Sequence, residues 1–139
     1  MAKKISDLMS PNPCAIEAAK PVAYAAKMMK DENVGLAPIV EGDRLVGTLT
    51  DRDIVTRVVA EGGDPQSVTV REVASTNLVT IDPQGKLEEA LQLMARNQIR
   101  RLPVVEQDGR LVGVVAQADI AREAKEKQTG ALVEEISQP

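Results

Sequence analysis

Arg44-Leu45-Val46-Gly47 returns as Arg110-Leu111-Val112-Gly113, and Pro38-Ile39-Val40-Glu41 returns as Pro103-Val104-Val105-Glu106. Working outward from these stretches, Ile5–Thr56 lies over Val70–Arg122 with one single-residue gap. The offset is 65 before the gap and 66 after it. Asp53-Ile54 falls on Asp119-Ile120, Met29 on Met94 and Asn12 on Asn77. A repeat of this length is one structural unit used twice. It predicts a pseudo-two-fold molecule with a cleft between its halves, the usual place for a small ligand.

Within each copy the periods are legible. Val22, Ala25, Ala26 and Met29 have the i, i+3, i+4, i+7 spacing of an amphipathic helix, and Leu87, Ala90, Leu91 and Met94 repeat it. Cys14-Ala15-Ile16 and Val79-Thr80-Ile81 read as the short strands before those helices. After each helix comes a hairpin, Pro38 to Leu49 with its turn at Gly42-Asp43, and Pro103 to Val115 with its turn at Gln107-Asp108-Gly109. Each proline is expected at a strand start, where its missing N–H does least harm.

A second helix is expected from near Asp51, with Ile54, Val55, Val58 and Val59 as its apolar face, and another from near Gln117. Short helices at Ile5–Met9 and Val70–Ala74 lead into the copies. The expected division is a first domain over 1–63, a linker over 64–69, a second domain over 70–127 and a tail over 128–139, with Gly130 interrupting the last helix. The order is strand–helix–strand–strand–helix, twice, in an α/β fold.

Composition limits what such a molecule does. Each copy is ~60 residues, a size that is marginal alone, so the two are expected to share one core. The chain is 43% hydrophobic but has no Phe or Trp and one tyrosine, Tyr24. The aromatic platform on which single-stranded nucleic acid stacks is therefore lacking. The net charge of −4 gives no global basic field for nucleic acid or an anionic membrane. No signal peptide or membrane span is read, and the expected location is the cytoplasm.

There is no histidine, which removes Ser-His-Asp and Cys-His catalysis and most zinc sites. Cys14 is the sole cysteine. It is read as a small buried residue on a strand, against the alternative of a redox thiol or an intersubunit disulfide.

Two copies of one signature give the chain a resemblance. An h-x-x-h-P segment is followed, beyond the hairpin turn, by G-h-x-T/S-x-x-D. In the first copy these are Val34-Gly35-Leu36-Ala37-Pro38 and Gly47-Thr48-Leu49-Thr50-Asp51-Arg52-Asp53. In the second they are Ile99-Arg100-Arg101-Leu102-Pro103 and Gly113-Val114-Val115-Ala116-Gln117-Ala118-Asp119. The chain thus resembles a tandem pair of CBS domains, or Bateman module, over nearly its whole length. Through Leu49-Thr50-Asp51-Arg52-Asp53-Ile54-Val55 and its overall length it is similar to small stand-alone two-CBS proteins of bacteria, including the actinobacterial hypoxic-response type.

The resemblance implies a non-catalytic regulatory module that takes an adenosine-containing ligand, such as an adenine nucleotide, between the copies. It requires no cofactor and no metal. The family's aspartate holds ribose hydroxyls, which points to Asp53 and Asp119, with Thr50 in the same turn. Apolar groups near the h-x-x-h-P segment sandwich the base, which points to Ile99 and Pro103. Basic residues of that segment meet phosphate, which points to Arg100 and Arg101. Thr80 and Ile81 complete the expected ligand set.

The family's cross-over would set Thr50 and Asp53 opposite Arg100 and Arg101. The other cleft, with Ala116, Asp119, Gly35 and Leu36, would lack the basic pair. A homodimer and an unidentified effector protein are the expected partners.

Plainer readings accompany these. Thr50-x-x-Asp53 is also a capping box, which alone accounts for both residues. Asp119 has no such partner, because position 116 is alanine. Arg100 and Arg101 can be surface charges or interface ion pairs. A scaffold whose clefts bind nothing is the alternative function, and an enzyme built on the Arg and Asp residues is a third and weaker one, for want of a tuned general base.

Overall fold

The structure, a computed structural model, describes residues 3–11 and 13–125. The first copy runs α1 (Ile5–Leu8), β1 (Ile16–Glu17), α2 (Val22–Glu32), β2 (Leu36–Glu41), β3 (Arg44–Thr50) and α3 (Asp51–Ile54), which continues as a π-helical turn over Val55–Val59. The second runs α4 (Val70–Val73), α5 (Leu87–Asn97), β4 (Arg101–Val105) and β5 (Leu111–Ala116). A final helix, α6, occupies residues 117–125. The tail over 128–139 and the expected break at Gly130 lie outside the described residues.

The α/β architecture is the expected one, with two small sheets ordered β1-β2-β3 and β4-β5. The first strands are shorter than their composition suggests. β1 spans two residues, parallel to β2 at Ile16 and Ile39. In the second copy Val79–Ile81 forms no strand, only a bridge in which Ile81 N–H donates to Pro103 O (3.1 Å) and Val105 N–H donates to Ile81 O (3.0 Å). The Asp82-Pro83 turn stops it there, because proline has no N–H with which to extend a ladder. Cys14 likewise lies outside β1 and is exposed, not buried on a strand.

Both prolines sit inside their strands rather than at the start: Pro38 faces Thr48 and Pro103 faces Val114. The missing N–H is harmless because the facing residues bond elsewhere. Thr48 exchanges two backbone bonds with Ser75 (3.0 and 2.8 Å), and Val114 exchanges two with Ser10 (3.1 and 2.8 Å).

The expected single core is instead two separate clusters, one per copy, and those bonds show how the copies interlock around them. Each lead-in segment crosses to the hairpin of the other copy. Ile5 of α1 is fully buried among Ile81, Ala90, Met94, Leu102, Val104 and Val115 of the second copy. Val70 and Val73 of α4 lie among Val22, Ala25, Ala37, Ile39 and Leu49 of the first.

The cross-bridges obey the pseudo-two-fold. Ser10–Val114 mirrors Ser75–Thr48, Lys4–Lys86 mirrors Thr69–Pro21, and Arg44–Arg110 maps onto itself. The crossing explains the glycine of each signature. A Cβ on Gly47 would stand 3.1 Å from Ser75 O, and one on Gly113 would stand 2.8 Å from Ser10 O and 2.6 Å from Met9 Sδ.

The second helix of the first copy departs from its expected face. Val58 is fully buried and Ile54 is half-buried, but Val55 and Val59 are 56% and 65% exposed. The π turn, closed by Ala60 N–H on Val55 O (2.8 Å), turns both outward. Ala26 of α2 is also exposed, whereas Ala25 and Met29 are buried.

Candidate functional site

The last residue of β3 begins the site. Thr50 is extended (φ −109°, ψ 162°) and caps α3: its Oγ1 accepts from Asp53 N–H (3.1 Å), while its own N–H donates to Asp53 Oδ2 (2.9 Å). The capping box read in the sequence is therefore present. It fixes the Asp53 carboxylate, whose side chain is 16% exposed, and Arg57 Nε stands 3.8 Å from Oδ1. Arg57 is held in turn by Nη1 donating to Val73 O (2.8 Å). A carboxylate oxygen accepts more than one hydrogen bond, so Asp53 retains acceptor capacity toward the cleft.

That cleft consists of two adjoining cavities. The inner one, about 240 Å³, is lined by Thr50, Asp53 and Arg57 from the first copy and by Val79, Ile99 and Pro103 from the second. Ser75 and Asn77 add polar groups. The outer one, about 580 Å³, is lined by Asp51 and Arg52 on one side and Gln98, Arg100 and Arg101 on the other. Leu36, Thr50 and Ile99 line both. Six of the expected residues, Thr50, Asp53, Ile99, Arg100, Arg101 and Pro103, are thus brought to one place, and the halves cross over as expected.

Three expected residues, Thr80, Ile81 and Asp119, line neither this cleft nor the second one, where Asp119 was expected. Ile81 is buried in the second core at 3% exposure, and Thr80 beside it lines neither cavity. Asp119 turns along its own helix toward Arg122, at 3.5 Å. With alanine at 116 there is no hydroxyl to draw Asp119 N–H into a box. The counterpart of Arg57 is Glu123, which cannot hold an aspartate and is instead buried against Lys3 Nζ (3.2 Å).

The second cleft repeats the plan with other chemistry. Its inner cavity, about 250 Å³, is lined by Ser10, Cys14, Glu32, Val34, Pro38 and Arg101 among others. Its outer cavity, about 590 Å³, has Ala116, Gln117 and Ala118 where the first has Thr50, Asp51 and Arg52. Arg100 and Arg101 line this outer cavity too. The expectation that the second cleft lacks the basic pair is therefore wrong. The two h-x-x-h-P segments meet at the pseudo-two-fold axis, so Gly35, Arg100 and Arg101 border both outer cavities.

Sequence reasoning missed Arg52, Arg57, Ser75 and Asn77. Arg52 stands inside the quoted signature, and Arg57 lies one helical turn after Asp53, so each carried a local signal. Ser75 and Asn77 reach the cleft only through the crossing of the lead-in segment, which no local pattern reveals.

The CBS-domain family model matches residues 5–60 and 70–126, once per copy. The chain belongs to the CBS-domain family. This CBS pair is 47% identical to the CBS domain-containing protein YhcV of Bacillus subtilis over 117 residues, covering 84% of this chain and 82% of that one. It is 37% identical to Hypoxic response protein 1 of Mycobacterium tuberculosis over 134 residues, covering 96% and 93%.

Among solved structures, Hypoxic Response Protein I with two coordinated zinc ions superposes with a TM-score of 0.80 at 37% identity, covering 86% of this chain and 98% of that one. The CBS domain pair of protein MJ0100, in complex with 5′-methylthioadenosine and S-adenosyl-L-methionine, gives 0.78 at 26% identity, covering 91% and 99%. The described residues of the present pair hold no group of three or more His, Cys, Asp or Glu placed to bind a metal ion. Among them no helix is long and apolar enough to cross a membrane.

Proposed function

We propose that this CBS pair is a non-catalytic regulatory module that binds an adenosine-containing ligand of the AMP, ADP or ATP type in its first cleft. The observation that carries the reading is the Asp53 carboxylate, fixed by the capping box in a cavity whose opposite wall comes from the other copy. In this reading the ribose hydroxyls donate to Asp53, since a carboxylate at a helix start accepts hydroxyl hydrogens but repels phosphate. The base packs against Val79, Ile99 and Pro103. The phosphate lies in the outer cavity toward Arg100 and Arg101, where guanidinium forks match its oxygens two at a time.

The bound 5′-methylthioadenosine and S-adenosyl-L-methionine of the MJ0100 pair support an adenosine-type ligand. No side chain here is proposed as a catalytic group. The ligand signal is read by a partner subunit and by an effector protein, the module acting as a cytoplasmic homodimer.

Thermal unfolding across a panel of adenosine compounds tests this. A ligand that binds only the folded state raises stability by about 2.7 kcal/mol at a hundredfold excess over its Kd. A midpoint that rises with ligand concentration is expected. A midpoint that no adenosine compound moves would leave the scaffold alternative in its place.

A further inference from the structure

We propose that Arg52 sets the number of phosphates the first cleft accepts, so that a nucleoside triphosphate is preferred over the monophosphate. This rests on the reading of that cleft as an adenosine site and adds the length of the phosphate chain to it.

Three guanidinium groups, those of Arg52, Arg100 and Arg101, border the outer cavity, and none is ion-paired with an acid among the described residues. The one acid on that wall, Asp51, accepts the N–H of Arg52 at 2.8 Å and so is engaged with its own helix start. Three guanidinium groups against that single carboxylate leave the cavity with a net positive charge, and an entering anion relieves the mutual repulsion of the cations. A single phosphate ester, with roughly −1.5 to −2 charges and three free oxygens, is satisfied by the adjacent pair Arg100 and Arg101. The third guanidinium comes from the opposite copy, on the far wall. A longer phosphate chain supplies oxygens for both walls at once.

The pseudo-two-fold isolates the residue that matters. Arg100 and Arg101 border both outer cavities and cannot distinguish the clefts. The counterpart of Arg52 is Ala118, and that of Asp51 is Gln117. Arg52 is thus the basic side chain that the first mouth has and the second lacks. Its side chain is exposed and donates no hydrogen bond among the described residues, so truncating it leaves the fold intact.

The test is calorimetric titration of the full chain, wild type and Arg52→Ala, with adenosine, AMP, ADP and ATP at one fixed ionic strength, with unliganded melting midpoints compared alongside. For the wild type, affinity should rise from AMP to ATP by about tenfold or more. Arg52→Ala should lose most of that gain and leave adenosine and AMP within about twofold of wild type. The proposal is overturned if the wild type binds AMP as tightly as ATP, or if Arg52→Ala weakens adenosine, AMP and ATP by one common factor. In either case the cleft remains an adenosine site. If none of the four compounds binds, the adenosine reading fails and this proposal with it. The wild-type series decides the first point even if the variant were to fold poorly.

Discussion

At the scale of single residues, the two copies differ by a hydroxyl. Thr50 closes a reciprocal cap with Asp53, and Ala116 leaves Asp119 to pair with Arg122. Removing an N-cap costs about 1 kcal/mol. Thr50→Ala should therefore lower stability by roughly that amount, and Ala116→Thr should raise it by about 0.5–1 kcal/mol by building the missing box. Chemical denaturation of the two variants reads both effects, and equal midpoints for all three proteins would contradict the account.

The cap was legible in the sequence because it is local: four residues, two of them with the right side chains. The fate of Asp119 was half legible. The alanine at 116 was visible, but the turn toward Arg122 and the charge reversal from Arg57 to Glu123 depend on what packs beside the helix. Arg100 and Arg101 border the first cleft, where the family's cross-over would set them. Their reach into the second was hidden, because the repeat alone does not say how near the axis a segment lies.

At the scale of elements, the lead-in helices govern the fold. Their short helical runs and the hairpins were readable from turn residues and periods. Their exchange between copies was not, because the bridges Ser10–Val114 and Ser75–Thr48 join residues far apart in the chain. The glycine that each hairpin keeps at the crossing was quoted as part of a motif, and the structure supplies its reason. A Cβ at either position would press on the backbone of the crossing segment. Overpacking of this kind costs roughly 1–3 kcal/mol.

Gly113→Ala, with contacts at 2.6 and 2.8 Å, should therefore destabilise more than Gly47→Ala, whose nearest contact is 3.1 Å. Urea unfolding midpoints should fall in that order. Two neutral substitutions would mean that the segments do not cross as described. The outward turn of Val55 and Val59 was also beyond the sequence, where the i, i+1, i+4, i+5 spacing reads as one inward face. The π turn rotates that face by inserting an extra residue into the helical repeat.

At the scale of the whole molecule, that rotation leaves an apolar surface. Tyr24, Val55 and Val59 are 50%, 56% and 65% exposed on the helices of the first copy. Their counterparts by the repeat are Glu89, Ala121 and Lys125, so the same region of the second copy is charged and small. Exposed apolar surface of this kind marks association. In a two-fold dimer it is best matched by itself, first copy against first copy. Sedimentation should give twice the 14.9 kDa chain mass. Val59→Glu should shift the equilibrium to monomer while leaving the fold intact by circular dichroism. A monomeric wild type, or an unaffected Val59→Glu dimer, would remove this interface from the account.

The central claim is that one cleft, the one built on Asp53, holds the ligand. Calorimetric titration of wild type, Asp53→Ala and Asp119→Ala with an adenine nucleotide tests it most directly. The account predicts one strong site per chain, weakened at least tenfold by Asp53→Ala, about 1.4 kcal/mol, and changed by less than about twofold by Asp119→Ala. A silent Asp53→Ala together with a damaging Asp119→Ala would contradict it.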